Sequence, residues 1–298
     1  MKKIIYKTLI SLIIFLLIGI VYLSTIGVKT DKFNSKIITQ IKKINPAIEI
    51  KINDVSATLD LLSFGINAKT IGTDLIYRDK IIKIETIKSK ISIRSFLNNK
   101  FALTEISIST KSLAIKDLIS LARLFNKDPK IFIAEKFIKK GFLVADLKLE
   151  FDKSGKIKSN YKFNGLVRDG KISLFKKYNL DKIDFIFKIS EENLKFNDVK
   201  FIINNKNISI PRINGFKQNN EYLISGKLNT KNTSLEKNEI NKFINDELLK
   251  LDIKEILFNS KNDFKFRITQ KFKVEGLDIN DAEDLKILKA IMNYDKKK

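Results

Sequence analysis

The chain has 298 residues, no cysteine, no histidine and no tryptophan, and a formal net charge of +23 carried almost entirely by lysine. Without Cys there is no disulfide or thiolate chemistry, and without His the commonest general base and metal ligand are missing. A zinc site would need carboxylates alone, which is unusual, so no enzyme, cofactor or metal centre is expected.

The basic excess has two readings. Lys, Asn and Ile are abundant together, the residues of A/T-rich codons, so a biased genome gives the same composition on any solvated surface. The functional reading is a basic surface beside anionic lipid. Lys in place of Arg lacks the bidentate fork of specific phosphate readers.

Thr8 to Val28 holds no charged residue, between Lys2, Lys3 and Lys7 on one side and Lys29, Asp31 and Lys32 on the other. As a helix it spans roughly 31 Å, enough to cross a bilayer core. It is longer than the apolar region of a typical signal peptide and lacks a small-residue cleavage site. Residues 1–28 are therefore read as a cytoplasmic stub and uncleaved anchor, with a cleaved signal peptide as the alternative. Tyr22 suits an interface position, and the leading lysines favour an N-terminus inside. That topology predicts an inner-membrane, single-pass protein with its bulk in the periplasm, and no nucleic-acid partner.

Residues 29–46 read as a juxtamembrane amphipathic helix, with Phe33, Ile37, Ile41 and Ile44 on one face and Asn45-Pro46 as its stop. From Ile48 the period becomes two. Ile48, Ile50 and Ile52 alternate with Glu49, Lys51 and Asn53. Ile66 and Ala68, then Ile82 to Ile93, then Leu103, Ile106 and Ile108 continue the pattern. Residues 60–64 and 94–100 are read as turns or short helical connectors.

Over 116–140 the pattern turns helical, with a first helix from Asp117 and a second from Pro129, stopped at Gly141. Residues 141–229 then read as an antiparallel meander of strands with one oily face, Asp169-Gly170 marking a hairpin turn. A helix is predicted over 234–251, capped by Ser234 and striped by Ile240, Phe243, Ile244 and Leu248. Two strands follow around 253–258 and 264–274, and a last helix capped by Asp281 carries Leu285, Leu288 and Ile291. No phosphate loop, G-x-S-x-G, H-E-x-x-H or EF-hand pattern occurs. The dense acidic clusters, Glu191-Glu192 and Asp281/Glu283/Asp284, fit turn and cap chemistry.

The stretches EIKINDVSATLDLLSFGINAKTI, KIETIKSKISIRSFLNNKFALTEISIS and KFNGLVRDGKISL, after the basic start, the anchor and the helix ending at Pro46, resemble the N-terminal part of the AsmA-like family. That superfamily includes the TamB- and YhdP-like proteins of Gram-negative bacteria and is related to chorein-type bridge lipid-transfer proteins. The resemblance is one of pattern and covers most of residues 1–230. It implies a membrane-anchored periplasmic protein with a curved β-sheet whose concave face is apolar. It also implies a part in phospholipid transport or outer-membrane maintenance. The larger family members run to many hundreds of residues, so a chain of this length does not cross the periplasm alone.

The expected fold is thus mainly β (α+β), an anchor followed by a curved antiparallel sheet over 47–298 with inserted helices. The candidate lipid-lining residues are Phe151, Phe163, Phe185, Phe187 and Phe196. The expected partners are the phospholipid bilayer, acyl chains and an envelope protein. Two alternatives stay open. The helices at 117–140 and 234–251 would cover the sheet and close an ordinary core, or the chain would be a scaffold that binds a protein at an open sheet edge.

Overall fold

The structure is a computed structural model. It describes residues 2–31, 34, 38–39, 42, 46–77, 80–98, 102–125, 129–174, 178–219, 221–236, 253–269, 274–279 and 286–292.

Helix α1 (Lys2–Thr25) contains the apolar run Tyr6–Thr25, long enough to cross a membrane and not buried by the rest of the protein. Its two threonine hydroxyls are satisfied within the helix. Thr8 Oγ1 donates to the Ile4 carbonyl at 2.9 Å and Thr25 Oγ1 to that of Val21 at 2.8 Å, as an apolar surrounding requires. This helix is consistent with a single-pass anchor or a signal sequence. It ends where the Ile26 and Gly27 amides both reach the Tyr22 carbonyl, at 2.9 and 3.1 Å. The uncharged stretch does not stay helical to Val28: Val28–Thr30 is the first strand, β1. The expected juxtamembrane helix therefore does not include Thr30. Asn34, Ile38, Thr39 and Lys42 are helical, while its apolar face of Phe33, Ile37, Ile41 and Ile44 lies outside the described residues.

The fold is mainly β, an open antiparallel sheet with few helices. The chain divides into two compact units. The first comprises residues 1–113, 117–127 and 144–163. Its strands are β1, β2 (Ile48–Lys51), β3 (Val55–Asp60), β4 (Gly65–Tyr77), β5 (Lys80–Ser92) and β6 (Leu103–Thr110), with α2 (Ile93–Leu97) after β5. They run β1-β3-β4-β5-β6, and β2 also pairs β4. Short β7 (Leu113–Ala114) leads into α3 (Ile115–Phe125) and α4 (Pro129–Phe137), and β8 (Ile138–Glu150) follows directly. In its later half β8 pairs β6, with Glu105 opposite Glu150 and Ser109 opposite Asp146.

Ile82, Ile84 and Leu113 form the buried core of this unit, with Leu75, Ile87, Ile108 and Leu121 packed on it. Leu121 comes from α3, whose apolar stripe lies over the sheet. Lys80 holds the helix in place: its Nζ lies 3.1 Å from Asp117 Oδ1 and donates to Ser120 Oγ at 3.0 Å. One of the expected helical covers is therefore present in the first unit.

The second unit comprises residues 114–116, 128–143 and 164–298. Its strands are β9 (Lys162–Leu174), β10 (Tyr178–Ser190), β11 (Asn193–Ile203), β12 (Lys206–Gln218), β13 (Glu221–Glu236) and β14 (Ile253–Ile268), each paired to the next. Beyond them β15 (Val274–Ile279) and β16 (Lys286–Met292) pair successive halves of β14. The expected meander is present.

Several expectations are corrected. Gly141 does not stop α4, which ends at Phe137. Gly141 lies inside β8, buried, where an added Cβ would meet Gly170 Cα at 3.1 Å and Ile115 Cδ1 at 2.9 Å. The predicted strands at 253–258 and 264–274 are one continuous β14, with β15 starting at Val274. Ser234 caps no helix; it pairs Leu257 near the end of β13. Residues 237–251 of that predicted helix, with Ile240, Phe243, Ile244 and Leu248, lie outside the described residues. Leu288 and Ile291 belong to strand β16, not to a last helix, while Asp281 and Leu285 of that predicted helix lie outside the described residues.

Asp169-Gly170 is not a hairpin either. Both lie within β9, and Asp169 has φ 50°. The same device recurs along the chain. Gly72 in β4 (φ 72°), Lys182 in β10 (51°), Asp198 in β11 (52°) and Asn232 in β13 (48°) each sit in the left-handed region inside a strand. Asp198 lies level with Pro211 in β12, between the Asn197–Arg212 and Val199–Ile210 pairs. Each adds one residue to the two-residue alternation. Buried positions then fall three apart across it: Thr70 and Thr73, Val167 and Gly170, Thr230 and Thr233. The apolar side stays on one face through the irregularity.

An insertion also frees backbone groups, and neighbouring side chains take them up. The Asp169 amide donates to Asp184 Oδ1 at 2.8 Å, and the Asn232 amide to Asn259 Oδ1 at 2.7 Å. Asn53 Nδ2 donates to the carbonyls of Ile71 and Gly72 at 3.1 and 3.4 Å.

Candidate functional site: the apolar face of the second unit

The ladder registers assemble two parallel apolar rows across β10 to β14. One runs Phe187–Phe196–Ile213–Gly226–Phe264, and the other Ile189–Leu194–Gly215–Ile224–Phe266. Between them, on the opposite face, runs Lys188–Lys195–Asn214–Ser225–Lys265. Side chains in a strand alternate between faces, so one side of this sheet is apolar and the other is mostly amide, hydroxyl and ammonium, with Ile186 and Phe216 exposed among them. Past the insertions the apolar side continues with Val167, Ile183, Val199 and Ile210, all buried.

Of the residues expected to line a groove, Phe185, Phe187 and Phe196 are brought together. Phe185 and Phe187 are tilted neighbours with centroids 6.1 Å apart, and Phe185 meets Phe196 edge-on at 5.7 Å. Phe187 is almost fully buried, while Phe185 and Phe196 remain half-buried. Phe151 and Phe163 belong to the other compact unit. Phe151 follows β8, donates its amide to the Thr104 carbonyl at 2.9 Å and bridges Ile157. Phe163 is half-buried at the start of β9.

Sequence reading missed the two glycines in the rows. A Cβ on Gly226 would lie 2.6 Å from Phe264 Cζ, so that ring lies over the glycine, with Phe266 stacked beside it at 6.0 Å. Gly215 is covered in the same way, by Ile224 Cδ1 and Leu194. An aromatic ring over a strand glycine restores the packing the missing side chain forfeits. The signal that finds this face is the three-residue step at 167/170 and 230/233 rather than strict alternation.

Between Lys162 and Glu236 every described residue is strand or short connection. Among the described residues no helix is interposed there to cover the oily rows. The one helix of this unit among the described residues, α4, leaves Phe132 and Ile133 about half exposed. The face also carries hydroxyls: Thr230 Oγ1 and Ser260 Oγ lie 2.9 Å apart, and Thr233 Oγ1 is buried with no hydrogen-bond partner among the described residues.

Chemically the rows offer apolar surface and nothing that titrates. The carboxyls held below their ordinary range lie elsewhere, in the first unit: Asp60 by the Ser63 hydroxyl, Glu150 by the Asn160 amide and Asp152 by the Ser154 hydroxyl. All three are turn or loop contacts. No group of three or more acidic residues among the described residues is placed to hold a metal ion. What such a face does is bury apolar area, at about 25 cal/mol per Å² or about 0.8 kcal/mol per methylene. On the opposite face a cleft of about 1130 Å³ is lined by Lys188, Arg212, Lys227, Lys261 and Lys265 together with Asp263. No protein-family model, no curated protein and no solved structure matches this chain.

Proposed function

We propose that the chain is a membrane-anchored, non-catalytic protein whose apolar sheet face holds phospholipid acyl chains, in the manner of the AsmA-like proteins it resembles. The observation that carries this reading is the unbroken pair of apolar rows from β10 to β14. Among the described residues no helix is interposed between their strands, and their apolar side stays on one face through each left-handed insertion. Acyl chains need no polar recognition, and the rows offer none. In this reading α1 is an uncleaved anchor in the inner membrane with its N-terminus in the cytoplasm, and both units lie in the periplasm. The protein then guides phospholipid in envelope transport or outer-membrane maintenance.

The test is photo-crosslinking of the full chain in its own membranes, with benzoylphenylalanine replacing Phe185 or Phe196. Phospholipid adducts at both positions, and none from Ile82 beneath α3, are expected. Adducts only within the chain mean a closed core and overturn the reading. The topology is checked separately. Alkaline phosphatase fused after residue 40 is active if the N-terminus is inside, and an inactive fusion overturns that orientation.

A second reading has its own observation. β15 and β16 both pair β14, and among the described residues their outer sides pair with no further strand. Open edges accept a strand from another chain, so a scaffold that binds an envelope protein predicts protein adducts from β15 in the same experiment.

A further inference from the structure

We propose that the rim of the first unit beside the C-terminal end of α1 is a second membrane contact, seated in the lipid interface. This rests on the reading of α1 as membrane-embedded.

The geometry begins at Gly27. It is buried at φ 71°, and a Cβ there would lie 2.3 Å from the Ala57 carbonyl oxygen and 2.6 Å from Thr58 Cγ2. No flexible tether therefore separates the helix from the sheet. β1 pairs β3 antiparallel, Val28 opposite Ala57 and Thr30 opposite Val55. As β1 leaves the helix, β3 runs back towards it, and α1 packs on β3. Thr58 to Asp60 extend about 10 Å past the level of Val28 at the rise of a strand, into the layer where α1 emerges.

Successive hairpins return to the same rim. The turn 61–64 follows β3. β5 comes back with Ser92 opposite Gly65, so α2 begins there, its Ile93 amide on the Phe64 carbonyl at 3.2 Å. β8 comes back with Glu150 opposite Glu105, and the 151–161 loop closes on the same end.

Most of the exposed apolar side chains among the described residues of this unit, outside α1 and β1, gather on that rim. Leu62 is 101% exposed, Leu97 70%, Ile157 57%, Phe64 55% and Leu61 51%. Outside α1, its last turn and β1, the other large exposed hydrophobics among the described residues of the unit are Ile71 and Ile81. Arg94, Lys153 and Lys156 are exposed in the same loops. Bulky apolar tips with basic neighbours suit the boundary of an anionic bilayer. A soluble domain gains nothing by placing Leu61, Leu62 and Phe64 together in a surface turn, whereas a rim level with an emerging membrane helix does. The occupant is the same bilayer that α1 enters.

The chain has no tryptophan, so single introduced Trp residues report without background. The full-length protein is reconstituted into vesicles of anionic and zwitterionic phospholipid, with and without acyl-chain bromination. Four variants are compared: Leu62→Trp, Leu97→Trp, Phe15→Trp within α1, and Ile81→Trp at the far end of β5. Ile81 lies opposite Ile76, about 36 Å along the strands from Gly65. The expected result is blue-shifted, bromine-quenched emission from Leu62→Trp, Leu97→Trp and Phe15→Trp, and unquenched emission from Ile81→Trp. Quenching at Phe15→Trp but not at Leu62→Trp and Leu97→Trp overturns the rim contact and leaves the anchor standing. No quenching at Phe15→Trp overturns the anchor and the rim with it. Equal quenching at Ile81→Trp also overturns the proposal, because the contact is then not confined to the rim.

Discussion

The backbone amide of Asp169 donates to Asp184 Oδ1 across β9 and β10, at the position where β9 takes on its extra residue. The other carboxylate oxygen, Oδ2, accepts from Arg168 Nη1 at 3.1 Å. One aspartate thus closes an insertion that leaves an amide without a ladder partner. Asp184→Ala removes the acceptor and is expected to lower stability by about 1.5–3 kcal/mol, the range for a hydrogen bond to a charged group. Arg168→Ala removes an exposed ion pair and costs about 1 kcal/mol or less. Chemical denaturation of the full chain checks both, as a midpoint shift at unchanged slope. Equal effects for the two variants would mean that the ion pair, not the capped amide, matters.

Gly141 and Gly170 meet back to back between β8 and β9, and Gly141 has φ 142°. Gly141→Ala combines a backbone strain with a 3.1 Å approach to Gly170 and is expected to destabilise by more than about 1 kcal/mol. Gly19→Ala, in α1 with nothing within 4 Å of the new methyl, is expected to leave the fold unchanged. The thermal midpoints of the two variants against the parent decide this. A neutral Gly141→Ala shows that the strands separate freely at that point.

The errors of sequence reading share a physical cause. A left-handed residue inside a strand turns a spacing of two into a spacing of three, and three is also a helical spacing. Leu285, Leu288 and Ile291 read as a helix because they too fall three apart. Leu288 and Ile291 nevertheless lie in β16, a strand whose register against β14 shifts between Leu257 and Phe258, and Leu285 lies outside the described residues. Asp-Gly read as a hairpin because a tight turn and a bulge demand the same residues, those that tolerate positive φ. Regular alternation was legible throughout: Ile48 to Ile52, Ile183 to Ile189 and Phe264 to Ile268 all lie in or run along strands. The Phe185, Phe187 and Phe196 cluster was legible because its members sit in two adjacent strands joined by a short turn. The separation of Phe151 and Phe163 from it was not, since period two says nothing about which compact unit a strand joins.

The turn after β8 is held by one carboxylate. Asp152 Oδ1 accepts from Ser154 Oγ at 2.7 Å and from the amides of Ser154 and Lys156 at 2.8 and 3.0 Å. The Ser154 hydroxyl leads in drawing the carboxyl below the ordinary value of 3.8. A group lowered on folding stabilises fully above its unfolded value, and that contribution is lost as pH falls through the folded one. Amide exchange at Ser154 and Lys156 is therefore expected to quicken, relative to the intrinsic rate, only below about 3.8. Asp152→Asn should abolish that step. A step that persisted in Asp152→Asn would place its origin in another group.

Truncation costs separate a packed core from a lipid-lined face. In the first unit Ile82 is buried under α3 against Ile84 and Leu113, and Ile82→Ala is expected to cost about 2–5 kcal/mol, because the cavity left behind cannot collapse. Phe196 is half-buried against Phe185 on a face with no helix interposed between its strands among the described residues. If mobile acyl chains cover that face, they refill the space, and Phe196→Ala costs well below the about 3–5 kcal/mol of a core Phe→Ala. The loss should then deepen when lipid is stripped from the preparation, since fewer chains remain to fill the gap. Denaturation midpoints of Phe196→Ala and Ile82→Ala, with and without added phospholipid, provide the comparison. A full core-sized loss at Phe196 that ignores lipid content would mean that protein covers the rows, and the apolar face would then be structure rather than site.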